Sequence, residues 1–179
     1  MPELNTARLS LRSFRDQDLD AFAALAANDG FMRFSSTGAL DRAGAAALLE
    51  RIMVRTRAAL PSQFAVFEHG AERMLGYCGF FLQEVDGAEE IEIGYRLHPD
   101  AWGRGFATEA AQAVRDHAFR DLGLERVISI IHPDNHASER VARKNGMTRE
   151  KSTTFRGFAV NIFAISRAEW EQLPPSAAQ

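Results

Sequence analysis

The sequence has little of several features that would assign it to a special class of protein. It has one cysteine, Cys78, in 179 residues, which excludes an internal disulfide framework and favours a reducing compartment. Its formal net charge is −3, and without a run of Lys and Arg we expect no nucleic-acid partner. No stretch approaches the roughly 18 apolar residues of a membrane span, and Arg8 and Arg12 stand where a signal peptide would be apolar. We therefore expect a cytoplasmic protein without a membrane partner.

What is present is an ordinary globular composition, with 46% hydrophobic and 25% charged residues. Apolar periodicity and turn residues predict the element order β-α-α-β-β-β-α-β-α-β-β, which makes the chain α/β (α+β). Asn28 to Gly30 is expected to end the first helix, and Asp41 to cap the second. No linker or repeat is evident, so we expect a single domain over residues 1–179, with its core at about 8–170 and a tail at 171–179.

The strongest functional signal lies in segment 91–115. An alternating strand is followed by Gly103 and Gly105, and then at once by an alanine-rich helix predicted over 108–121. Glycines let the backbone approach a ligand, and the first amides of a helix have no intrahelical acceptor, so the junction favours a phosphate group. A plain glycine turn capped by Thr108 is the alternative. A nucleotide is also conceivable, but the Gly-Lys-Ser/Thr ending of a P-loop is absent and the preceding strand reads as antiparallel.

Three segments, in this order, resemble the GNAT N-acyltransferases and, within them, the RimJ/RimL-type branch. They are TARLSLRSFRDQDLDAF, EIGYRLHPDAWGRGFATEA and DNHASERVARKNGM. The resemblance implies the GNAT fold, a mostly antiparallel mixed sheet of about seven strands with helices on both faces. The sheet would be splayed between its fourth strand, near 90–97, and its fifth, near 126–132. The resemblance also implies acetyl-CoA as co-substrate, and a homodimer is common for such folds.

The resemblance places acetyl-CoA on the second and third segments. The family's pyrophosphate pattern, Arg/Gln-x-x-Gly-x-Gly/Ala, falls on 102–107, with Trp102 in place of Arg or Gln. Backbone amides are implied to do most of the binding, with the Thr108 hydroxyl and the Arg104 side chain as additional partners. The implied pyrophosphate residues are Arg104, Gly105, Phe106, Ala107 and Thr108; the implied pantetheine residues are Tyr95, Arg96, Leu97 and Asn135.

Two residues are implied in the acyl transfer itself. Glu92 matches a carboxylate that takes the proton of the acceptor amine, directly or through water; the alternative is a solvated strand residue paired with an arginine. Many family members protonate the leaving thiolate with a tyrosine, but that position is Ala142. Ser138 is the expected substitute, and a purely structural place at the start of a helix is its alternative.

The expected function is an acetyl-CoA-dependent N-acetyltransferase that acts by direct transfer in a ternary complex. Its acceptor would be a primary amine, on a small molecule or a protein N-terminus, chosen by segments 28–40 and 150–165. The alternative is a non-catalytic acyl-CoA-binding module, which Ala142 favours.

His132 and His136 have a spacing seen in metal sites, but Pro133 breaks any common helix and no third ligand is evident, so no metal is expected. His117 is expected on a helix surface.

Overall fold

A mixed sheet of eight strands forms the centre of the fold in the computed structural model, which describes residues 2–174. All neighbouring strands are antiparallel except β5 and β6, which are parallel. The strand order across the sheet is β1-β2-β3-β4-β5-β6-β8-β7. The strands are β1 (Leu4–Asn5), β2 (Leu9–Ser13), β3 (Gln63–Glu68), β4 (Met74–Val85), β5 (Ala88–Leu97), β6 (Arg126–Ile131), β7 (Thr148–Phe155) and β8 (Phe158–Ser166). The mostly antiparallel mixed sheet is confirmed, with the short β1 added to the expected strands.

Six α-helices and two short 3-10 turns connect the strands. The helices are α1 (Leu19–Ala26), α2 (Asp29–Met32), α3 (Arg42–Arg57), α4 (Phe106–Arg120), α5 (His136–Lys144) and α6 (Arg167–Trp170), and the turns are Asp16–Asp18 and Pro99–Ala101. No helix within residues 2–174 has the length and apolar character needed to cross a bilayer. Of the tail expected at 171–179, residues 175–179 lie outside the described residues.

The helix boundaries follow from local capping, which departs from the prediction at Asn28 and at the start of α4. Asp41 caps α3 as expected, since its side chain accepts the Gly44 amide at 2.7 Å. Asn28 does not merely end α1; its Oδ1 accepts the Phe31 amide at 3.0 Å and begins α2. Helix α4 begins at Phe106 rather than at residue 108, because Gly105 already forms its N-cap with a φ of +83°.

The prediction for His117 of α4 is wrong, because this residue is buried rather than on the surface. Its ring packs against Phe64 and Phe80, and its Nδ1 lies 2.6 Å from Asp121 Oδ2. His117 follows Ala110 and Val114 at helical spacing, so the face of α4 that meets the sheet includes it.

The sheet is covered by helices on both faces, as predicted. Helices α1 and α3 pack on one face through residues such as Phe22 and Leu49. Helix α4 packs on the other face, in a core with Ile93, Tyr95 and Leu97 of β5. Because successive side chains of a strand point to opposite faces, Glu92, Gly94 and Arg96 lie on the α1/α3 face.

The two edges of β5 are paired very differently. Its pairing with β4 runs without a break from Gly76 opposite Leu97 to Val85 opposite Ala88. Its pairing with β6 is limited to Glu92 opposite Ile128. The expected splay of the sheet is therefore present between β5 and β6, and it opens toward the carboxyl end of β5.

Candidate active site

A cavity of about 1130 Å³ lies where β5 and β6 separate. Glu92 and Arg96 line it from the α1/α3 face of the sheet. Tyr95 lines it from the α4 face, together with Asn135 and Ser138 at the start of α5. The cavity thus reaches both faces of the sheet through the gap. Leu97 ends β5 and residues 104–108 follow it; these residues, also predicted for the site, are not among those that line the cavity.

Glu92 is held by two hydrogen-bond donors at the gap. Its Oε2 accepts the Gln83 Nε2 at 2.7 Å, and its carboxylate accepts the backbone amide of Ile130 from β6. Burial raises the pKa of the Glu92 carboxyl above its usual value, although both hydrogen bonds and the charges of Arg96 and Arg156 act in the opposite direction. A carboxylate whose pKa is raised toward neutrality is a better proton acceptor than an ordinary glutamate at the same pH.

Gln83 was not identified from the sequence, although the hairpin signal contained it. The Asp86-Gly87 turn sets Gln83 opposite Glu90. Diagonal neighbours of an antiparallel pair share a face, so Gln83 also reaches Glu92. Its Oε1 in turn accepts Arg156 Nη2 at 3.0 Å, a contact with the turn between β7 and β8 that no local pattern could have indicated.

The backbone groups at the end of β5 are only partly directed at the gap. The His98 amide donates to Leu75 at 2.7 Å, so residues 98 and 96 belong to the set whose amides face β4. The Arg96 amide is therefore part of the β4 ladder, and the prediction that it lines a pantetheine arm is corrected. Tyr95 and Leu97 belong to the alternate set, whose amides face the gap. The Ser129 hydroxyl donates to the Ile93 carbonyl at 2.7 Å, which agrees with this alternation.

The glycine loop presents a row of backbone amides at the start of α4. Gly103 and Gly105 both have positive φ, +74° and +83°. The first hydrogen bond into the helix runs from the Glu109 amide to the Gly105 carbonyl at 3.1 Å. Within residues 2–174 the amides of residues 103–108 have no acceptor. These amides and the helix dipole suit an anion such as pyrophosphate.

Side chains brace this loop rather than extend into it. Trp102 donates its indole N–H to the Leu97 carbonyl at 2.8 Å, which ties the loop to the end of β5 and gives the unexpected tryptophan a structural role. Arg104 forms an ion pair with Glu68 at 2.6 Å and stacks over the Phe106 ring at 4.3 Å. A phosphate would have to compete with Glu68 for the Arg104 side chain.

The start of α5 combines two of the predicted residues. Asn135 Oδ1 accepts the Ser138 amide at 3.1 Å, so Asn135 is the N-cap of the helix. The phenol of Tyr95 donates to the Ser138 carbonyl at 3.0 Å. The sequence predicts a role only for the backbone of Tyr95, yet the Tyr95 side chain places a hydroxyl next to Ser138. Ala142 is fully buried in the core and leaves the cavity untouched.

Both segments expected to contact an acceptor line the cavity, and α3 adds a third wall. From segment 28–40 the lining includes Phe34, and from segment 150–165 it includes Phe155 and Phe158. Phe34 and Phe158 are 39% and 51% exposed, so they are not core residues. Arg51 of α3 also lines the cavity. Its charge at an exposed helix position gave no indication of this role.

The remaining reactive side chains are not arranged for chemistry. Cys78 is completely buried, and burial raises the pKa of its thiol, which disfavours the reactive thiolate. Residues 2–174 contain no group of three or more His, Cys, Asp or Glu that could hold a metal ion. His132 instead packs against the Phe34 ring, with centroids 5.7 Å apart.

Comparisons with known proteins agree with this geometry. The family profile described as "Acetyltransferase (GNAT) domain" matches residues 8–148. A Bacillus subtilis (strain 168) protein named "Uncharacterized N-acetyltransferase YoaA" is 33% identical over 154 residues, which cover 83% of this chain and 84% of that protein. A solved GNAT-family acetyltransferase from Bacillus anthracis has a TM-score of 0.79 at 25% identity, covering 93% of this chain and 99% of that one.

A more distant neighbour adds to the comparison of folds. The structure of RimL, a ribosomal L7/L12 alpha-N-protein acetyltransferase in complex with coenzyme A, has a TM-score of 0.76 at 20% identity. The match covers 92% of this chain and 98% of RimL. At 20% identity, the comparison with RimL shows a shared fold and nothing more.

Proposed function

This chain belongs to the GNAT acetyltransferase family, and we propose that it transfers the acetyl group of acetyl-CoA to a primary amine by direct attack in a ternary complex. The observation that carries the proposal is the gap between β5 and β6, which joins Glu92 on one face of the sheet to Tyr95 and Ser138 on the other. The glycine loop lies at the end of the same strand. A donor and an acceptor could therefore meet at the gap from opposite faces.

On the donor side, the amides of residues 104–108 would hold the pyrophosphate. The amides of Tyr95 and Leu97 would hold the pantetheine arm and polarise the thioester carbonyl, because both face the gap. Asn135 already uses its Oδ1 as a helix cap, so its NH₂ group is the part left for the cofactor arm. That RimL has been solved with coenzyme A supports this use of the fold.

On the acceptor side, Glu92 would take the proton of the attacking amine, directly or through water. As the new N–C bond forms, the C–S bond breaks and the sulfur leaves as a thiolate. A thiolate needs little assistance near neutral pH. The Ser138 hydroxyl would supply its proton, and the Tyr95 phenol beside Ser138 is a second source at the same helix end.

The branch of the family and the class of acceptor are part of the same proposal. RimL is among the solved neighbours, which supports a RimJ/RimL-like acetyltransferase. The acceptor amine would be either a small molecule or a protein N-terminus. A cytoplasmic location and a homodimer stay predictions.

An acceptor screen tests the catalytic proposal. Purified protein, acetyl-CoA and panels of small amines and N-terminal peptides are assayed by release of the coenzyme A thiol, with mass measurement of the acetylated product. We expect acetylation of at least one class. Tight coenzyme A binding by calorimetry without transfer to any amine would instead favour the acyl-CoA-binding module.

A matched pair of glycine variants tests the donor half by itself. Gly105→Ala places a side chain at a φ of +83° in the loop, and Gly157→Ala does so at +84° in the distant β7–β8 turn. Each change strains the left-handed backbone by about 1–2 kcal/mol. We expect coenzyme A affinity to fall roughly tenfold in Gly105→Ala, because relaxing that strain moves the amides. Equal affinity in both variants would remove the loop from the binding site.

A further inference from the structure

The cavity carries an excess of positive charge that the acetyl transfer does not use. Its charged lining contains two carboxylates, Glu92 and Asp134, and five arginines, namely Arg33, Arg51, Arg55, Arg96 and Arg156. Within residues 2–174 none of these five arginines forms an ion pair. Arginines elsewhere do, such as Arg12 with Asp18 and Arg126 with Glu150. The cavity is therefore a place where guanidinium groups lack anionic partners.

Arg96 is the most informative of the five. Its side chain shares the face of β5 with Glu92 and is half-buried. The partner of its guanidinium is the sulfur of Met32, 3.2 Å from Nη1. A thioether is a weak acceptor, so a partly desolvated cation is left poorly satisfied. A bound anion would supply the charge-assisted hydrogen bonds that the protein does not.

Arg156 brings a second guanidinium close to the proposed base. It donates to Gln83, and Gln83 donates to Glu92, at 3.0 and 2.7 Å. One side chain thus separates this cation from the carboxylate that would take the amine proton. Of the other three, Arg33 lies over the Phe34 ring and Arg55 donates to the Pro61 carbonyl, which is neutral.

We propose that the acceptor is a primary amine that carries a carboxylate, with the amine at Glu92 and the carboxylate bound by Arg96 and Arg156. This inference rests on the proposed function and specifies its substrate class. Guanidinium groups match a carboxylate in geometry as well as charge. The same arginines would repel a polycationic amine, so the cavity selects against one class as well as for another.

A competing use of these arginines would be to hold the phosphates of coenzyme A. The faces of the sheet argue against it. The glycine loop begins α4, which packs on one face, whereas Arg96 projects from the opposite face of β5. Glu92 lies on the Arg96 face, so these two side chains would meet the acceptor together.

Matched acceptor pairs test the inference. Each pair is a free amino acid and its α-carboxamide, and a separate arm compares tripeptides with Glu or Lys in second position. The carboxamide has the less basic amine, so intrinsic reactivity favours it. We expect the enzyme to reverse this order, with kcat/KM at least about tenfold higher for the acid. A preference confined to the tripeptide arm would assign the carboxylate to a peptide side chain.

Arginine variants separate recognition from other effects. Arg96→Gln should lower the ratio of kcat/KM for the acid to kcat/KM for the carboxamide by about tenfold to a hundredfold. Arg96 also lowers the pKa of Glu92, but that influence would act equally on both acceptors. Arg96→Lys should recover part of the loss. Arg57→Gln is the control, since Arg57 is on α3, pairs with Glu50 and lies outside the cavity.

The outcomes distinguish the inference from the function it rests on. Equal rates for acid and carboxamide, or an equal loss for both in Arg96→Gln, would overturn the inference and leave N-acetylation intact. A higher KM for acetyl-CoA in Arg96→Gln with an unchanged acceptor ratio would assign Arg96 to the donor. If no amine is acetylated, the proposed function fails. Calorimetry with coenzyme A-saturated protein then decides the inference, since binding of the acid but not the carboxamide would support it and binding of neither would overturn it.

Discussion

The two edges of β5 differ in their backbone pairing: the edge beside β4 is closed by a continuous ladder, and the edge beside β6 is mostly open. Along β4 the pairing is continuous, from Leu97 opposite Gly76 to Ala88 opposite Val85. Along β6 it is reduced to Glu92 opposite Ile128. The closed edge fixes the strand and the direction of every side chain on it. The open edge leaves backbone groups of the same strand facing a cavity. The β4 edge therefore makes β5 rigid, and the β6 edge makes it accessible to ligands.

The side chains near the gap show how the open edge is kept open. The Ser129 hydroxyl and the Trp102 indole occupy carbonyls of β5 that a neighbouring strand would otherwise pair, those of Ile93 and Leu97. Ile130 directs its amide to the Glu92 carboxylate instead of to the backbone of β5. Side-chain hydrogen bonds thus replace ladder hydrogen bonds at the point where β6 diverges.

The largest expected effect is the loss of the carboxylate at the open edge. Glu92→Gln keeps the shape of the side chain and removes its capacity to take a proton. We expect kcat/KM for acetyl transfer to fall by about 10²–10⁴-fold with coenzyme A affinity unchanged. Glu84→Gln is the matched control, because Glu84 lies exposed on β4 outside the cavity. Wild-type transfer in Glu92→Gln would mean that Glu92 has a structural role at the gap and is not the base.

The next effect concerns the closed edge and acts on stability. Gly76 has a φ of +152°, and a side chain there would overlap the Arg96 carbonyl of β5. We expect Gly76→Ala to lower the free energy of unfolding by roughly 3 kcal/mol, because overpacking and backbone strain add. Urea denaturation measures it. Gly70→Ala, at a φ of +76° in an open turn, carries strain alone and should lose about 1 kcal/mol. Equal losses would mean that the ladder tolerates displacement.

The geometry of the glycine loop could be predicted because its residues are neighbours in the chain. Strand, glycine loop and helix start lie within segment 91–115, and positive φ at Gly103 and Gly105 follows from local chemistry. Even in this segment, two features depend on the tertiary structure. The start of α4 at Phe106 and the direction of the Arg96 amide depend on the cap at Gly105 and on the register with β4.

The arginine-lined part of the cavity could not be predicted, because it is assembled from distant segments. Arg51, Arg96 and Arg156 come from α3, β5 and the β7–β8 hairpin, and their lack of anionic partners is a property of the folded chain. Some local sequence patterns are also compatible with more than one structure. Asn28 can end one helix or begin the next, and the sequence around it permits both.

The smallest expected effect is a shift of the pH profile of acetyl transfer when Gln83, the hydrogen-bond partner of Glu92, is replaced. Protonated Glu92 cannot accept the amine proton, so kcat/KM falls as pH drops through the pKa of Glu92. The Gln83 hydrogen bond favours the ionised carboxylate and lowers that pKa. Gln83→Leu should therefore raise it and move the acid limb to higher pH. Arg156→Gln should move the limb in the same direction but less, because the charge of Arg156 lowers the pKa of Glu92 less than the Gln83 hydrogen bond does. Profiles of kcat/KM from about pH 5 to pH 9, at saturating acetyl-CoA, measure both shifts. An acid limb that stays in place or moves to lower pH in Gln83→Leu would mean that another group limits the rate.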